Sequence, residues 1–284
     1  MTDHDPDAVR RILLLAHTGR EEAREVSRAV LTSLQAQGLV VRMLEEEAKE
    51  LDLPPESSVE TVPVDDARAE ECELAVVIGG DGTILRAAEI TRGTPTPLLG
   101  VNLGHVGFLA EAESEDVEKM IEMVVGRHYS SEERMTLDVL VFRDKELVET
   151  TWALNEASVE KAARQRMLEV VVEVDGRPLS RFGCDGVVCA TPTGSTAYNF
   201  SAGGPIVWPG VEALLMVPIS AHALFSRPMV VAPTSVLAVE VLEVEAVLVP
   251  AVAAEPVEAI TSGSAATLPA SGSATPLGEL GELP

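Results

Sequence analysis

The sequence predicts an α/β fold in its first part and a mostly β fold in its second part. Up to about residue 129, apolar strand-like runs alternate with helix-like segments, which is typical of a Rossmann-like open parallel sheet with helices on its faces. From 130 to 243, segments with a period of two dominate. From 244 to 284 the chain is acidic and rich in Ala, Val, Pro and Ser, a composition typical of disordered tails. We therefore expect an α/β domain, a β-rich domain and an atypical C-terminal tail with these boundaries.

The elements of the first domain follow from short apolar runs and the turn residues between them. Strands are expected at 11–16, 39–44, 74–78 and 98–101. Helices are expected between these strands at 21–37, 65–71 and 84–89, and after the last strand at 115–126. The segment 45–55 is polar, and Ser114 is a candidate cap for the last of these helices.

The second domain shows strand patterns and one strong hairpin signal. Strands are expected at 137–142, 168–174 and 229–242. Asp175-Gly176 directly follows the second of these strands, and this pair favours the tight turns that join antiparallel strands. A mostly antiparallel sheet is therefore predicted.

Composition excludes several classes of function. The 284 residues contain 21 Lys and Arg against 46 Asp and Glu, a formal net charge of -25. This argues against nucleic-acid binding, because neutralising phosphates needs clustered Lys and Arg. No apolar run approaches the ~20 residues needed to span a bilayer, and the acidic N-terminus is unlike a signal peptide. Cys72, Cys184 and Cys189 form no disulfide or zinc pattern. We expect a cytoplasmic protein with neither nucleic-acid nor membrane partners.

The most informative motif follows the predicted strand at 74–78. It consists of Gly79, Gly80, Asp81 and Gly82, and a helix-like run comes next. Successive N–H groups in such a turn, together with the positive end of the helix, bind anions. Three glycines around one carboxylate therefore indicate a phosphate cradle that holds an acid, with a plain strand-to-helix turn as the alternative. The motif matches neither the dinucleotide fingerprint G-x-G-x-x-G nor a Walker A loop.

Three other segments are candidates for ligand contact. A second glycine-bearing turn, 102–109, follows the strand at 98–101 and lies at the same sheet edge if the sheet is parallel. Its alternative is a plain strand exit. Asn155-Glu156 and the long segment 184–205 belong to the β-rich part. The long segment is rich in Thr, Ser, Gly and Pro, which favours a binding loop over a simple hairpin.

Together these segments resemble the NAD kinase family, in its bacterial and specifically actinobacterial form. The resemblance rests on residues 79–86, 102–109, 155–156 and 185–205, and it covers the chain from about residue 11 to 242. The Gly-Asp-Gly turn alone also looks like phosphofructokinases and lipid kinases, whereas the run Thr-Pro-Thr-Gly-Ser-Thr-Ala-Tyr at 191–198 is much more specific.

This resemblance implies transfer of a phosphoryl group from ATP, or from inorganic polyphosphate, to the 2′-hydroxyl of the adenosine ribose of NAD, giving NADP. It implies a divalent cation, expected to be Mg²⁺, beside the substrates ATP and NAD. Gly79, Gly80 and Gly82 would supply N–H groups to phosphate, and Asp81 would be the catalytic proton acceptor that orients the 2′-hydroxyl. Family members are commonly dimers or tetramers, so we expect a homo-oligomer.

The resemblance also implies a set of further substrate-binding residues. Asn155 and Glu156 would contact the ribose or adenine of NAD, and Arg86 and Arg166 would contact phosphates. The alternatives are a solvated helix residue for Arg86 and a surface turn acid for Glu156. The full set beyond the glycine turn is Arg86, Asn155, Glu156, Arg166, Asp185, Thr196, Ala197, Tyr198, Asn199, Phe200 and Ser201.

One departure from the family pattern concerns the end of the chain. Family members continue past about residue 242 with further strands, whereas this chain continues with an Ala/Val/Pro-rich tail. The expected consequence is an incomplete β-rich sheet with exposed edges. Two other functions are therefore kept open at this point: a catalytically impaired NAD-binding homologue, and a lipid or sugar kinase that shares only the Gly-Gly-Asp-Gly turn.

Overall fold

The fold was obtained as a computed structural model, which describes most of the chain. The described residues are 9–54, 57–64, 67–102, 112–113, 117–161, 167–223, 227–242, 246–251 and 257–261. Most of the predicted turn 102–109, the candidate cap Ser114 and residues 262–284 lie outside the described part.

The first part of the chain forms an open parallel sheet, as predicted. Its strands are β1 (Arg11–Ala16), β2 (Val40–Leu44), β3 (Val59–Val62), β4 (Leu74–Ile78) and β5 (Leu98–Asn102). They lie in the order β3-β2-β1-β4-β5, and every neighbouring pair is parallel. A short strand, β6 (Ala112–Glu113), pairs with β5. The sequence analysis missed β3, which is short and only partly buried.

Helices connect these strands and cover both faces of the sheet. They are α1 (Glu21–Ala36), α2 (Glu45–Glu50), α3 (Asp81–Thr91) and α4 (Val117–Gly126), with a 3₁₀ helix at Ala69–Glu71. In α1 the buried residues Ala23, Val30 and Leu34 recur at helical spacing, which is why this helix was predictable. Helix α2 was predicted only as a polar segment, because just one of its acidic residues is buried.

The core lies on the two faces of the sheet, since successive side chains of a strand point to opposite sides. On one face Ile12, Leu14 and Val76 pack against α1 and α4. On the other face Leu13 and Val77 belong to a cluster that contains α3 residues. Burial on both faces explains why these strands are continuous apolar runs.

The remaining chain is mostly antiparallel β structure, also as predicted. Its strands are β7 (Ser130–Arg134), β8 (Leu137–Arg143), β9 (Glu146–Ala153), β10 (Glu156–Lys161), β11 (Leu168–Val174), β12 (Arg177–Cys184), β13 (Gly186–Ala190), β14 (Leu214–Ile219), β15 (Met229–Val231), β16 (Leu237–Val241), β17 (Ala246–Ala251) and β18 (Val257–Thr261). One sheet has the order β15-β14-β13-β10-β17, a second has β12-β11-β16, and β8 pairs with β9. A 3₁₀ helix at Thr193–Thr196 and the short helix α5 (Tyr198–Ser201) lie between β13 and β14.

The hairpin predicted at Asp175-Gly176 is confirmed. Asp175 has a φ of 53° and Gly176 a φ of 71°, and β11 and β12 pair directly on either side of them. Two successive positive φ angles define the turn type that this residue pair favours.

The prediction of one continuous strand at 229–242 is wrong, because the segment forms two strands. The structure divides this segment into β15 and β16, which belong to different sheets. Pro233 lies in the turn between them, and proline has no N–H group to donate to a strand ladder. The break therefore has a local cause that the alternating pattern concealed.

Two segments of the predicted tail are strands. β17 pairs with β10 from Lys161 to Glu156, and β18 lies between β5 and β7 in the first sheet. The predicted lack of further strands is therefore wrong for these two segments. The composition of 244–284 predicted a disordered tail, but strand pairing depends on backbone groups, which every composition provides. Both stretches also contain valine, which favours strands. The domain boundaries at 129 and 243 stay predictions.

None of the helices within the described residues is long and apolar enough to cross a membrane.

Removing the last two strands should destabilise the fold. Deleting 243–284 leaves β10 as an exposed edge, because β17 pairs with six of its residues. We expect the thermal midpoint to fall by at least ~5 °C, since about 1 kcal/mol corresponds to 2–4 °C in a chain of this size. Deleting only 262–284 keeps both strands and is the control. Equal losses in the two truncations, measured by circular dichroism, would contradict the pairing of β17 with β10.

Candidate active site

The glycine turn after β4 is fixed by close packing at its first residue. A Cβ atom on Gly79 would lie 2.4 Å from Oγ1 of Thr83, so a larger residue cannot be accommodated without a shift. The Gly79 N–H donates to the carbonyl of Val101 at 3.1 Å, which ties the turn to β5. The turn therefore has a defined position at the carboxyl end of the sheet.

The next three residues combine open space with a helix start. Gly80 is the N-cap of α3, and its carbonyl accepts hydrogen bonds from the N–H groups of Thr83 and Ile84 at 2.9 and 3.2 Å. Among the described residues, no heavy atom other than those of the chain neighbours and the nearby backbone of the helix lies within 4 Å of a Cβ built on Gly80 or Gly82. Asp81 lies between them and is partly buried. Open space beside the N-terminus of an eleven-residue helix suits an anionic group.

The strand order places this turn at the switch point of the sheet. The order runs β3-β2-β1 in one direction and β4-β5 in the other, so the reversal lies between β1 and β4. Ligands of open α/β sheets bind at this point, outside the carboxyl ends of the strands. The turn after β1 faces the glycine turn there, and the His17 N–H donates to the carbonyl of Ile78 at 2.8 Å. The sequence analysis missed His17, although its place after the first strand was a usable signal.

Arg86, predicted to bind phosphate, forms an ion pair within the protein. Its Nη1 donates to Oε1 of Glu47 at 2.7 Å, while the Ala16 N–H donates to Oε2 of Glu47 at 2.9 Å. Glu47 is only 3% exposed, whereas the Arg86 side chain remains 45% exposed. Burial raises the pKa of Glu47, and the hydrogen bonds from Ala16 and Arg86 partly oppose this effect. Glu47 was not predicted as a site residue.

Asn155 and Glu156 lie at the start of β10 and are both buried, at 6% exposure each. The loop after β13 packs directly on them: a Cβ on Gly194 would lie 2.0 Å from the carbonyl oxygen of Asn155. Thr191 adds a backbone hydrogen bond, from its N–H to the same carbonyl at 2.9 Å. The sequence elements at 155–156 and 191–198, far apart in the chain, therefore form one unit.

Two oxygen atoms in this unit are buried and have no hydrogen-bond partner among the residues that the structure describes. They are Oδ1 of Asn155 and Oε2 of Glu156. Burial raises the pKa of Glu156 to about 7, although the backbone N–H of Tyr198 donates to its carboxylate and opposes the rise. Buried oxygens without partners are rare in folded proteins, because losing water without a replacement costs free energy. These two oxygens therefore make Asn155 and Glu156 candidates for contact with a ligand that carries hydrogen-bond donors.

Tyr198 and Asp185 lie close to this unit. Burial and hydrogen bonding to Glu160 raise the pKa of the Tyr198 phenol, and the nearby carboxylates of Asp185 and Glu156 act in the same direction. Asp185 forms a salt bridge with Lys161. The surface around the orphaned oxygens is therefore acidic, which suits hydroxyl and amino donors.

The remaining predicted residues have different environments. Asn199 is fully buried and its Nδ2 donates to the carbonyls of Ser195 and Pro205, both at 3.1 Å, so it holds the loop together. Phe200 is 55% exposed and Thr196 is partly buried. Arg166 lies outside the described residues. Ala197 is the N-cap of α5, and Ser201 is the last residue of that helix.

Apolar packing connects the glycine turn and α3 with the segment that carries Asn155 and Glu156. Trp152 and Leu154, at the end of β9, belong to the same buried cluster as Ile84 in the first turn of α3. Arg92 at the end of α3 also stacks over the Trp152 ring, 5.1 Å from its centroid. Asn155 directly follows Leu154, so the strand that carries Asn155 and Glu156 starts where the helix that carries Asp81 packs.

Comparison with known proteins identifies this arrangement. Residues 12–129 match the ATP-NAD kinase N-terminal domain, and residues 154–276 match the ATP-NAD kinase C-terminal domain. The chain belongs to the NAD kinase family. The second match extends past residue 242 and so includes β17 and β18, which the resemblance seen in the sequence did not cover.

Curated members of the NAD kinase family are similar over most of the chain. NAD kinase 2 of Streptomyces coelicolor is 59% identical over 236 residues, covering 82% of this chain and 77% of that protein. The NAD kinase of Leifsonia xyli subsp. xyli is 58% identical, covering 83% and 78%. The NAD kinase of Mycobacterium tuberculosis is 51% identical, covering 82% and 79%.

Solved structures of NAD kinase relatives share the fold. Yeast NADH kinase in complex with NADH has a TM-score of 0.80 and 25% sequence identity, covering 90% of this chain and 84% of that one. The NAD kinase from Archaeoglobus fulgidus in complex with ATP has a TM-score of 0.61, also at 25% identity, covering 90% and 94%.

Replacing Glu156 by Gln should stabilise the free protein while weakening the site. The pKa of Glu156 is raised from its ordinary value of 4.5 to about 7 in the folded protein. The folded state therefore becomes less stable, relative to the unfolded state, as the pH rises through this range. Glu156→Gln should therefore raise the free energy of unfolding by on the order of 2 kcal/mol above pH 7, and the gain should vanish below pH 4.5. Urea unfolding between pH 4 and pH 8.5 measures this.

The exposed Glu146, also on a β-strand, provides the matched control as Glu146→Gln. Because the Glu146 side chain is exposed, we expect this substitution to change the free energy of unfolding little. A Glu156→Gln protein that is less stable than the original at pH 8 would contradict the cause assigned to the raised pKa.

Proposed function

We propose that this chain is an NAD kinase, which transfers the γ-phosphoryl group of ATP to the 2′-hydroxyl of the adenosine ribose of NAD. The observation that carries the proposal is the Gly-Gly-Asp-Gly turn at the switch point between β1 and β4, where no side chain of the described residues lies against Gly80 or Gly82. Membership of the NAD kinase family and the relatives named above support the same reaction. A lipid or sugar kinase that shares only the glycine turn does not account for the match of both halves.

In this proposal, the glycine turn holds the phosphates and Asp81 acts on the acceptor. The leading N–H groups of α3 and the helix dipole stabilise negative charge at the place where the phosphoryl group is transferred. Asp81 accepts the hydrogen bond of the 2′-hydroxyl and orients its oxygen for in-line attack. Because the proton leaves late in a loose phosphoryl-transfer transition state, orientation contributes more than basicity.

The unit around Glu156 is proposed to bind the dinucleotide. The unpaired oxygens of Asn155 and Glu156 would accept hydrogen bonds from ribose hydroxyls or from the adenine amino group, which restores the partners lost on folding. Tyr198 and Asp185 would line the same surface. The ligands named for the yeast and Archaeoglobus structures, NADH and ATP, are consistent with these two substrate sites.

A divalent cation, expected to be Mg²⁺, would neutralise charge on the phosphates of the donor. No three His, Cys, Asp or Glu side chains form a metal-binding group within the described residues. This fits Mg²⁺, which commonly binds through one or two carboxylates and substrate phosphates. Asp81 is the carboxylate that the glycine turn would offer to it. Homo-oligomeric assembly and a cytoplasmic location remain part of the proposal.

Replacing Asp81 by Asn should abolish turnover. The isosteric amide cannot accept the hydroxyl proton, so we expect NADP formation from NAD, ATP and Mg²⁺ to fall by about 10²–10⁴-fold. A coupled assay with an NADP-specific dehydrogenase measures it, and calorimetry should show that NAD still binds. Full activity in Asp81→Asn would contradict the role of Asp81, and an inactive original protein would contradict the proposed function.

Adding one methyl group to the turn should separate folding from activity. No neighbour obstructs a Cβ on Gly82, and alanine favours helix, so Gly82→Ala should fold with unchanged or slightly raised thermal stability. The methyl group would occupy the space proposed for phosphate, and we expect at least a tenfold loss of NADP formation. Gly79→Ala, which clashes with Thr83, should instead lower stability. A fully active Gly82→Ala enzyme would show that phosphate binds elsewhere.

A further inference from the structure

The buried carboxylate of Glu47 has no place in the reaction described so far. Helix α2 begins with Glu45, Glu46 and Glu47, of which the first two are exposed and Glu47 is 3% exposed. Burying an acid costs free energy unless charge-assisted hydrogen bonds compensate it. The positions of its two partners therefore indicate what this burial achieves.

Both partners of Glu47 belong to the switch point. One is the Ala16 N–H at the last residue of β1, immediately before the His17 turn, and the other is Arg86 of α3. The Glu47 carboxylate thus links β1 to α3, because one of its oxygens accepts from Ala16 and the other accepts from Arg86. Helix α2 is fastened to the β1 turn a second time, because the Thr18 hydroxyl donates to Glu50.

The ion pair with Glu47 restrains the Arg86 side chain but leaves other N–H donors of its guanidinium group available. The bond to Glu47 uses one nitrogen, Nη1, of a guanidinium group that has five N–H donors. The Arg86 side chain remains 45% exposed and starts from the second turn of α3, five residues or about 1.4 helical turns after Asp81. A restrained arginine loses less side-chain entropy when it binds a phosphate than a mobile one does.

We propose that Glu47 is a positioning residue for the phosphoryl donor: it orients Arg86 toward the phosphates of ATP and fixes the β1 turn against the glycine turn. This inference rests on the proposed NAD kinase activity. It gives Arg86 two contacts at once, a buried carboxylate behind it and the phosphate chain of the donor in front.

The test compares kinetics of Glu47→Gln, Arg86→Gln and the double variant, with NADP formation measured at varied ATP and varied NAD. The amide oxygen in Glu47→Gln still accepts from the Ala16 N–H, so the main change is the loss of charge beside Arg86. We expect the KM for ATP to rise about tenfold in Glu47→Gln while the KM for NAD stays within twofold. Glu46→Gln, the exposed neighbour on the same helix, is the control and should match the original protein.

The double variant distinguishes positioning from a merely structural role. If Glu47 acts through Arg86, adding Glu47→Gln to Arg86→Gln should raise the KM for ATP no further. Fully multiplicative effects, an unchanged KM for ATP, a selective rise in the KM for NAD, or a fall in kcat alone would each overturn the inference. Should Glu47→Gln fail to fold in a thermal melt, Arg86→Gln and Glu47→Asp decide: an unchanged KM for ATP in either overturns the inference.

The failure of this inference differs from failure of the proposed function. An original protein that forms NADP while Glu47→Gln behaves like Glu46→Gln overturns only the role of Glu47. An original protein that forms no NADP overturns the proposed activity and, with it, this inference.

Discussion

The reversal of strand order between β1 and β4 is the constraint on which the rest of the site depends. The parallel strands end at one edge of the sheet, and the point where their order reverses is where ligands of open α/β sheets bind. The glycine turn, the His17 turn and the start of α3 all meet at this edge because the topology leaves them nowhere else to lie. The role proposed for Asp81 thus depends on where the sheet places the end of β4.

Several buried polar groups at the candidate site cost stability that the rest of the fold does not offset. Glu156 and Asn155 are buried with unpaired oxygens, and Glu47 is a buried acid held by two hydrogen bonds. A sequence selected for stability alone would place apolar residues at such positions. The unpaired oxygens of Asn155 and Glu156 are explained if a bound substrate supplies their hydrogen bonds, and the buried Glu47 is explained if it positions Arg86, since active sites commonly sacrifice stability for function.

Much of the fold could be predicted because its elements carry strong local signals. β1 and β4 are uninterrupted apolar runs, and the Asp175-Gly176 turn has the residue pair that its backbone requires. β17 could not be predicted, because its stabilisation comes from pairing with β10, a partner about 90 residues earlier in the chain. α2 was missed for a related reason: the burial of Glu47 depends on contacts with Ala16 and Arg86 rather than on helical periodicity.

The sequence motifs indicated candidate site residues, but the environments of these residues depend on tertiary contacts. Only the structure shows that the carbonyl of Asn155 lies against Gly194, or that Arg86 already has a carboxylate partner.

The most direct measurement is a crystal structure of this protein with NAD bound. We expect the 2′-hydroxyl oxygen of the adenosine ribose to lie within about 2.6–3.2 Å of the Asp81 carboxylate, with Asn155 and Glu156 hydrogen-bonded to the same nucleoside. NAD bound away from the crevice between β1 and β4, or with protein atoms between Asp81 and the ribose, would contradict it.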